Sequence, residues 1–410
     1  MIRDIFVFLH RWVGLLTTIF LVIVGLTGSL LAFNNELEHV FAPELYARPH
    51  PGEAPLDLAT LAERAETLVP HAHVRAVALT EPDQAHIAFR PETNPTTGKS
   101  YELGFNQFYV DPWTGAELGH RNKADLSEGL INVMPFIYRL HDQLMLKATG
   151  ATILGVVAVF WTIDCFVGFY LTLPVSLSGF WRRWKPAWLI KRKAGFYRLN
   201  FDLHRASGLW LWPVLFIFAW SSVMFDMRSV YEWVTPKLFD YRYVAADTKE
   251  LAERPPKPRP LLDWRAALVT GERLMGEQAA IYGLTSVEPR ALSYNDRAGV
   301  YTYSARSSLN IAPTGGLPYV MFDGDNGSLL KVRAPNGQHA GNTISSWLIA
   351  LHMATVFGLP YRIFVCVLGL VITTLSATGV YIWWKKRSAR LYRKIRLASA
   401  GAPFEPKAAE

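Results

Sequence analysis

A histidine followed by an arginine occurs twice at the start of a long apolar run. "LHRW" carries His10 and Arg11, and "LHRA" carries His204 and Arg205. Ionisable groups beside hydrocarbon are costly and commonly functional. An imidazole is a metal ligand that titrates near neutral pH, whereas a guanidinium is a fixed cation that binds carboxylates in pairs of hydrogen bonds. The two pairs therefore suggest a cofactor held at the ends of two membrane spans.

Two further histidines, His141 and His352, stand ahead of two other apolar runs, each directly after a leucine. Each has the same spacing to a tyrosine, in "GFY" ending at Tyr170 and "GVY" ending at Tyr381. Each also stands in a short predicted helix that ends at a glycine just before the following span. The chain therefore consists of two loosely repeated halves, and repeated membrane proteins commonly place function where the halves meet.

Bis-imidazole ligation of a haem iron needs one histidine from each of two facing helices. We predict two b-type haems, since no CxxCH motif for covalent attachment is present. One lies near the cytoplasmic face and the other near the outer face. Gly14 and Gly208, one turn after their histidines, would allow a flat ring to approach the backbone. The predicted cofactor-binding residues are the iron ligands His10 with His204 and His141 with His352, and the propionate partners Arg11 and Arg205.

Several alternatives to this ligand set remain open. Met145 or Met353 could replace a histidine, and His39 and His339 are rivals for the outer pair. A zinc site is disfavoured, because the four histidines are not helical neighbours and no thiolate or carboxylate accompanies them. Asp164 is the one acid well inside an apolar run. It is either part of a proton relay or quinol site, or a structural residue hydrogen-bonded to Ser, Thr or Trp of another helix.

The composition is that of a membrane protein with sizeable polar parts. Half of the 410 residues are apolar, 19% are charged, and 14 are tryptophan. Pro213 interrupts the third of four apolar stretches, which is tolerated where neighbours satisfy the freed carbonyl. Each stretch is near the roughly 20 residues needed to cross a bilayer. The four predicted spans are Trp12–Phe33, Thr152–Pro174, Gly208–Phe225 and Tyr361–Trp384.

Basic residues cluster between the second and third spans and again after the fourth. By the positive-inside rule, both termini and the middle loop are predicted to be cytoplasmic. The two long segments, Asn34–Arg139 and Asp226–Ser346, then lie outside. The net charge of +8 reflects this topology, and it does not indicate binding to nucleic acid.

Each long outer segment is predicted to be a small α+β unit. "LDLATLAERAETLV" and "LDWRAALVTGERLM" have helical spacing, whereas "VRAVALT", "AHIAFR", "QFYVD", "GVYTYSAR" and "LPYVMFD" alternate like strands. The two segments share a turn with equal spacing, Asp111 to Gly115 and Asp323 to Gly327. Such spacing predicts a hairpin with glycine at positive φ. "ERPPKPRP" at Glu253–Pro260 is a proline-rich linker.

The chain resembles the PepSY-associated transmembrane family over nearly its whole length. "LHRWVGLLTTIFLVIVGLTGSLLAF" and "GLPYRIFVCVLGLVITTLSATGVYIWW" resemble its spans, and "FYVDPWTGAELG" resembles its PepSY module. The family includes FoxB-like bacterial inner-membrane reductases of iron–siderophore complexes, which hold two haems between four helices. The resemblance implies an inner-membrane location and the ligands His10, His141, His204 and His352. Asp142 departs from the family, which often has arginine directly after the second-span histidine.

The predicted fold is a four-helix transmembrane bundle with two extracytoplasmic α+β, PepSY-like segments. The predicted divisions are 1–33 (first span), 34–139 (first periplasmic segment), 140–174 (outer His helix and second span), 175–203 (basic cytoplasmic loop), 204–225 (third span), 226–346 (second periplasmic segment), 347–384 (outer His helix and fourth span) and 385–410 (basic cytoplasmic tail).

The resemblance implies an oxidoreductase that passes electrons from the cytoplasmic side or the quinol pool to a periplasmic acceptor. The most specific expectation is a ferric-siderophore reductase that releases Fe(II), because hard oxygen ligands hold Fe(III) better than Fe(II). No nucleotide-binding motif is present, so another protein or a quinol must supply the electrons. The expected partners are a ferric siderophore, that electron donor and the lipid bilayer, with no nucleic acid. The alternatives are a haem-containing subunit of another periplasmic reductase and a haem-free membrane protein that binds or regulates through its PepSY-like segments.

Overall fold

The computed structural model describes residues 2–242, 251, 253–312, 316–334 and 336–400. The end of the predicted basic tail and residues 243–250, 252, 313–315 and 335 of the second outer segment lie outside the described residues. The α-helices are α1 (Ile2–Leu31), α2 (Asn34–Phe41), α3 (Leu58–Ala65), α4 (Val133–Gln143), α5 (Lys147–Thr172), α6 (Phe180–Trp184), α7 (Phe196–Trp210), α8 (Trp212–Asp226), α9 (Arg228–Leu238), α10 (Trp264–Tyr282), α11 (Ala340–His352) and α12 (Gly358–Ala400). The strands are β1 (Ala72–Glu81), β2 (Gln84–Pro91), β3 (Gln107–Val110), β4 (Glu117–Arg121), β5 (Glu288–Asn295), β6 (Val300–Arg306), β7 (Tyr319–Asp323) and β8 (Leu329–Arg333).

The chain divides into two compact units. The first unit comprises Met1–Ser29, Ala148–Met227 and Val367–Glu410, and the second comprises Leu30–Lys147 and Arg228–Cys366. The first unit is helical throughout its described elements, whereas the second contains every described strand. Membrane-type helices and an α+β part are thus both present, as the sequence predicts.

Three helices are long and apolar enough to cross a membrane, namely α1, α5 and the Gly358–Arg393 portion of α12. The helices α7 and α8 pass the same test only as a pair, and they meet at a bend of 70°. The predicted third span, Gly208–Phe225, is therefore not one continuous helix. Pro213 does not interrupt a helix but lies in the first turn of α8, where its missing N–H removes no helical hydrogen bond.

Other boundaries also differ from prediction. The helix α12 continues beyond Trp384 into the predicted basic tail. The helix α4, which carries His141, ends at Gln143 through left-handed Leu144 (φ 52°) and not at a glycine, because Gly150 already belongs to α5. In the second half, α11 likewise ends at His352 and not at a glycine, because Gly358 (φ 63°) is already the first residue of α12.

Small residues allow two helices of the first unit to touch backbone to backbone. A Cβ on Gly25 of α1 would lie 2.6 Å from Thr373 Oγ1 and 2.7 Å from the carbonyl oxygen of Gly369, both on α12. No side chain fits such a gap. Close backbone contact at small residues is a common way for membrane helices to associate, since burial in lipid gives no hydrophobic drive.

The two predicted α+β segments each contribute four strands, and all eight strands form one sheet. The sheet has eight antiparallel strands in the order β4-β3-β2-β1-β5-β6-β7-β8. The strands β1 and β5 join the halves, with Val77 opposite Leu292 in the centre of the register. Pairing the two inner strands covers what would otherwise be an exposed edge in each half.

The helices α3 and α10 pack against one face of this sheet. Each helix begins at an aspartate whose side chain accepts a backbone N–H, Asp57 in α3 and Asp263 in α10. The predicted helices, strands and hairpins are confirmed. Gly115 and Gly327 adopt φ of 68° and 69°, because the matching turns need a left-handed residue.

Two glycines on α10 provide a matched test of this packing. A Cβ on Gly271 would lie 2.6 Å from Cβ of Tyr303 on β6, whereas Gly276 has no atom within 4 Å of that position. We expect Gly271→Ala to lower the free energy of unfolding by about 1–3 kcal/mol through overpacking. Gly276→Ala should raise it by roughly 0.5–1 kcal/mol, because alanine favours the helix. Thermal unfolding of the full chain in detergent measures the stability of both variants. Equal changes in the two variants would contradict the close contact between Gly271 and Tyr303.

Candidate haem-binding site

The inner histidines come from two helices of the first unit, His10 from α1 and His204 from α7. Their ring centroids are 6.2 Å apart and their planes meet at 59°. With metal–nitrogen bonds of about 2 Å, two imidazoles on opposite sides of one metal have ring centres roughly 6 Å apart. An ordinary aromatic contact spans a similar distance. The hydrogen bonds and the surrounding space therefore decide what the pair is suited for.

Both rings form hydrogen bonds through Nδ1. In His10 this atom lies 2.9 and 3.0 Å from the two carboxylate oxygens of Asp164 on α5. In His204 it lies 3.1 Å from the carbonyl oxygen of Leu375 and 3.1 Å from Thr378 Oγ1, both on α12. A carboxylate and a carbonyl both accept, so each ring carries its proton on Nδ1. This tautomer gives Nε2 the lone pair, and it is the usual arrangement of a metal-ligating histidine.

A glycine packs against each of these rings. A Cβ on Gly168 would lie 3.5 Å from His10 Cε1, and one on Gly379 would lie 3.3 Å from His204 Cε1. The two glycines open the repeated "GFY" and "GVY" triplets. Sequence reasoning used these triplets only to align the halves and missed the glycines. The sequence did contain a signal for them, because each glycine stands at the equivalent position of its repeated half.

A cavity of about 720 Å³ adjoins the inner pair and is lined by both histidines. Ligand sites of this kind usually enclose about 300–1,000 Å³. Gly14 and Gly208 also line the cavity, and no atom lies within 4 Å of a Cβ placed on either. The space that a side chain would fill is therefore open at the two positions where the sequence predicts close approach of a flat ring.

The predicted propionate partners, Arg11 and Arg205, line the same cavity. Each has a buried Nε that donates to no acceptor among the described residues. The Arg11 guanidinium lies over the rings of Phe8 and Trp12, at 5.6 and 5.8 Å. Arg205 is less available, because its Nη2 donates to buried Asp202 at 2.9 Å. Unsatisfied buried donors are rare, so these atoms fit a site that receives an anionic group.

The outer histidines come from two helices of the second unit, His141 from α4 and His352 from α11. Their ring centroids are 6.3 Å apart and their planes meet at 70°. Burial, and after it the neighbouring His141, lowers the pKa of His352 to about 3. A neutral imidazole is the form that ligates a metal. The chain thus brings together both pairs that the sequence predicts, each within its own unit.

The model of the PepSY-associated TM region matches residues 7–386. The chain belongs to this family. Together with the helices that are long enough to span, the match identifies a multi-pass membrane protein. A search of characterised proteins found no match to the chain.

The rival outer ligands of this PepSY-associated protein have other contacts. Both nitrogens of His39 are engaged, Nδ1 with the Asn35 carbonyl oxygen at 2.8 Å and Nε2 with Asp83 at 3.2 Å. His339 pairs with Asp240 at 2.8 Å. Met145 and Met353 follow their helices with exposed side chains. These positions favour His141 with His352 over the rivals.

The structure excludes one of the two roles considered for Asp164 from the sequence, and the proton-relay or quinol-site role stays a prediction. Asp164 does not face Ser, Thr or Trp of another helix but contacts the predicted ligand His10. Asp142, where the family often has arginine, accepts from Arg139 at 3.1 Å and leaves its other oxygen buried without a donor among the described residues. The Asp142 carboxylate therefore neutralises the neighbouring Arg139.

Proposed function

We propose that the chain is a di-haem b oxidoreductase of the bacterial inner membrane. One observation carries the proposal: four histidines spread along the sequence meet as two imidazole pairs, with centroids 6.2 and 6.3 Å apart. The recurrence of such a pair at matching positions of the repeat favours paired ligands over isolated ring contacts, because ionisable groups at span ends are costly and commonly functional. Bound haem would supply one-electron transfer.

The residues of the chain have distinct roles in this proposal. His10 and His204 hold the inner haem, with Asp164 and the Leu375 carbonyl fixing their rings, and His141 and His352 hold the outer haem. The Arg11 guanidinium, and to a lesser degree that of Arg205, receives the haem carboxylates at the inner site. Because a planar guanidinium matches a carboxylate with two parallel hydrogen bonds, arginine suits this role better than lysine.

Four spanning segments would hold the inner site: α1, α5, the bent α7–α8 pair and α12. Contacts within the first unit support this arrangement. The helix α1 meets α5 at His10–Asp164 and meets α12 at Gly25–Gly369. The pair α7–α8 meets α12 at His204–Leu375, and it meets α5 at Gly155, whose Cβ would lie 2.8 Å from the Asp226 carbonyl oxygen. Each segment thus touches two others, as a four-helix bundle requires.

The proposed acceptor is a periplasmic ferric siderophore, and the proposed donor is a cytoplasmic protein or a quinol. Reduction would loosen the chelate, since oxygen ligands favour hard Fe(III) over Fe(II). The second unit, which contains the eight-stranded sheet, is the proposed docking surface for the chelate. The chain then acts as a ferric-siderophore reductase that releases Fe(II) outside the membrane.

This function requires the outer sheet to be periplasmic and the basic loop to be cytoplasmic. We expect a cysteine at Pro255, in the linker before α10, to react with a membrane-impermeant maleimide in spheroplasts. A cysteine at Arg192, in the basic loop before α7, should react only after lysis, because basic loops stay inside. Gel shift of the labelled chain measures both. Labelling at Arg192 in intact spheroplasts would reverse the orientation and the direction of electron transfer.

The central test is the haem count. We expect a pyridine haemochrome assay on the fully loaded, purified chain to give two b haems, with a Soret band and split α and β bands after dithionite reduction. A count of one haem per chain would contradict the prediction of two haem sites. A count of zero after loading would favour a haem-free membrane protein that binds partners through its sheet.

A further inference from the structure

The two halves of the chain give their inner histidines different partners. Asp164 precedes Gly168 in "DCFVG", and Leu375 precedes Gly379 in "LSATG", at the same spacing. Asp164 presents a carboxylate to His10 Nδ1, whereas the Leu375 position presents a backbone carbonyl to His204 Nδ1. The two proposed ligands of one iron are therefore equivalent in position but differ in the charge behind them.

Asp164 lies within the spanning helix α5, and its side chain is 14% exposed. Within the described part of the chain, its only hydrogen-bonding partner is the neutral His10 ring. A buried carboxylate without a cationic partner is costly. The negative charge of Asp164 is better balanced when the metal that His10 would bind carries more positive charge. Ferric iron carries one more positive charge than ferrous iron.

We infer that Asp164 is a positioning residue that fixes His10 as an Nε2 ligand and lowers the reduction potential of the inner haem. The inference rests on the proposed function. The carboxylate holds the ring orientation by accepting Nδ1–H with both oxygens. Through that hydrogen bond it also makes His10 a stronger electron donor to the metal than His204, because partners behind a ligand raise its basicity. A low potential at the inner site favours outward electron transfer.

The test compares Asp164→Asn with Thr378→Val in the full-length, haem-loaded chain. Asparagine keeps an acceptor for Nδ1–H but removes the charge, whereas Thr378→Val removes a neutral hydroxyl and leaves the Leu375 carbonyl in place. Both variants should still hold two haems. In a spectroelectrochemical titration, Asp164→Asn should shift the ferric/ferrous equilibrium of one haem toward ferrous by about 10- to 100-fold. That is about 59 to 118 mV at 59 mV per tenfold for one electron.

Thr378→Val should shift the same equilibrium by less than about tenfold, since a neutral hydrogen bond contributes about 1 kcal/mol. Asp164→Glu keeps the charge and should stay closer to the wild-type potential than Asp164→Asn. If Asp164→Asn loses one haem while Asp164→Glu retains both, the role of the charge in positioning His10 is supported.

Two outcomes would overturn the inference and leave the proposed function standing. In one, Asp164→Asn binds two haems with both potentials unchanged, so that the residue is only structural. In the other, Thr378→Val shifts the potential as far as Asp164→Asn, so that charge is not the cause. A wild-type chain that binds no haem would instead overturn the proposed function itself.

Discussion

Replacing His10 or His204 by alanine should leave one haem on each chain where the wild type holds two. Both imidazoles would be needed to hold the inner haem, and their centroids are only 6.2 Å apart in the first unit. The outer pair belongs to the second unit, so the haem that it holds should be retained. Replacing His141 or His352 should remove the other haem and leave the inner one. Pyridine haemochrome content and the low-temperature α-band of each variant measure the loss.

The matched controls are His39→Ala and His339→Ala, which remove the two rival histidines. A ring nitrogen of each side chain lies within hydrogen-bonding distance of an aspartate, Asp83 for His39 and Asp240 for His339. These variants should keep both haems and both α-bands. If His10→Ala loses both haems to the same extent as His141→Ala, the histidines support the fold and do not act as two separate ligand pairs. Loss of a haem in His339→Ala would assign that residue to the outer site in place of His352.

An external ferric chelate should oxidise the dithionite-reduced protein in liposomes, and His141→Ala should abolish this reaction. The proposal places the outer pair on the acceptor side, with the inner pair reachable only from the cytoplasmic side. A bulky, charged chelate does not enter hydrocarbon, so it must be reduced at the outer interface. Without His141 the reoxidation rate of the remaining haem should fall to the rate observed when no chelate is added. Stopped-flow absorbance at the α-band measures this rate.

The control for this experiment is again His339→Ala, which should react at the wild-type rate. The His141→Ala protein must still show the α-band of one reduced haem before the chelate is added, so that a loss of rate is not a loss of all cofactor. Reoxidation of that remaining haem at the wild-type rate would contradict outward transfer through the outer site. Reoxidation of neither the wild type nor the control would leave the two-haem proposal intact and exclude the tested chelate as the acceptor.

Asp164 and Leu375 occupy equivalent positions in the two halves but give the two inner histidines different partners. The histidines, the adjoining glycines and the cavity glycines all recur in both halves, whereas the carboxylate occurs in one half only. A charge that contacts a ligand changes the site strongly because the interior of a protein screens it poorly. The repeated positions thus form the proposed inner site. Asp164, which has no counterpart in the second half, makes the surroundings of His10 differ from those of His204.

Local patterns along the chain were enough to predict much of this protein. Apolar length identified α1, α5 and α12 as spans, and alternation identified β1, β2, β3, β6 and β7. The equal spacing of Asp111 to Gly115 and Asp323 to Gly327 predicted both hairpins, and the repeated histidines predicted which rings would meet. Each of these features depends on neighbours in sequence or on the repeat, where periodicity and turn chemistry act directly.

Tertiary structure decided the features that depend on contacts between distant residues. One such feature is the pairing of β1 with β5, which joins the two outer segments. No local pattern predicts which edge strands pair with each other. The contact of Asp164 with His10 is another, since it requires α1 and α5 to adopt one particular rotation against each other. The bend at Pro213 is a third: the same proline fits a kinked span or the start of a new helix, and only the packing of α7 and α8 selects between them.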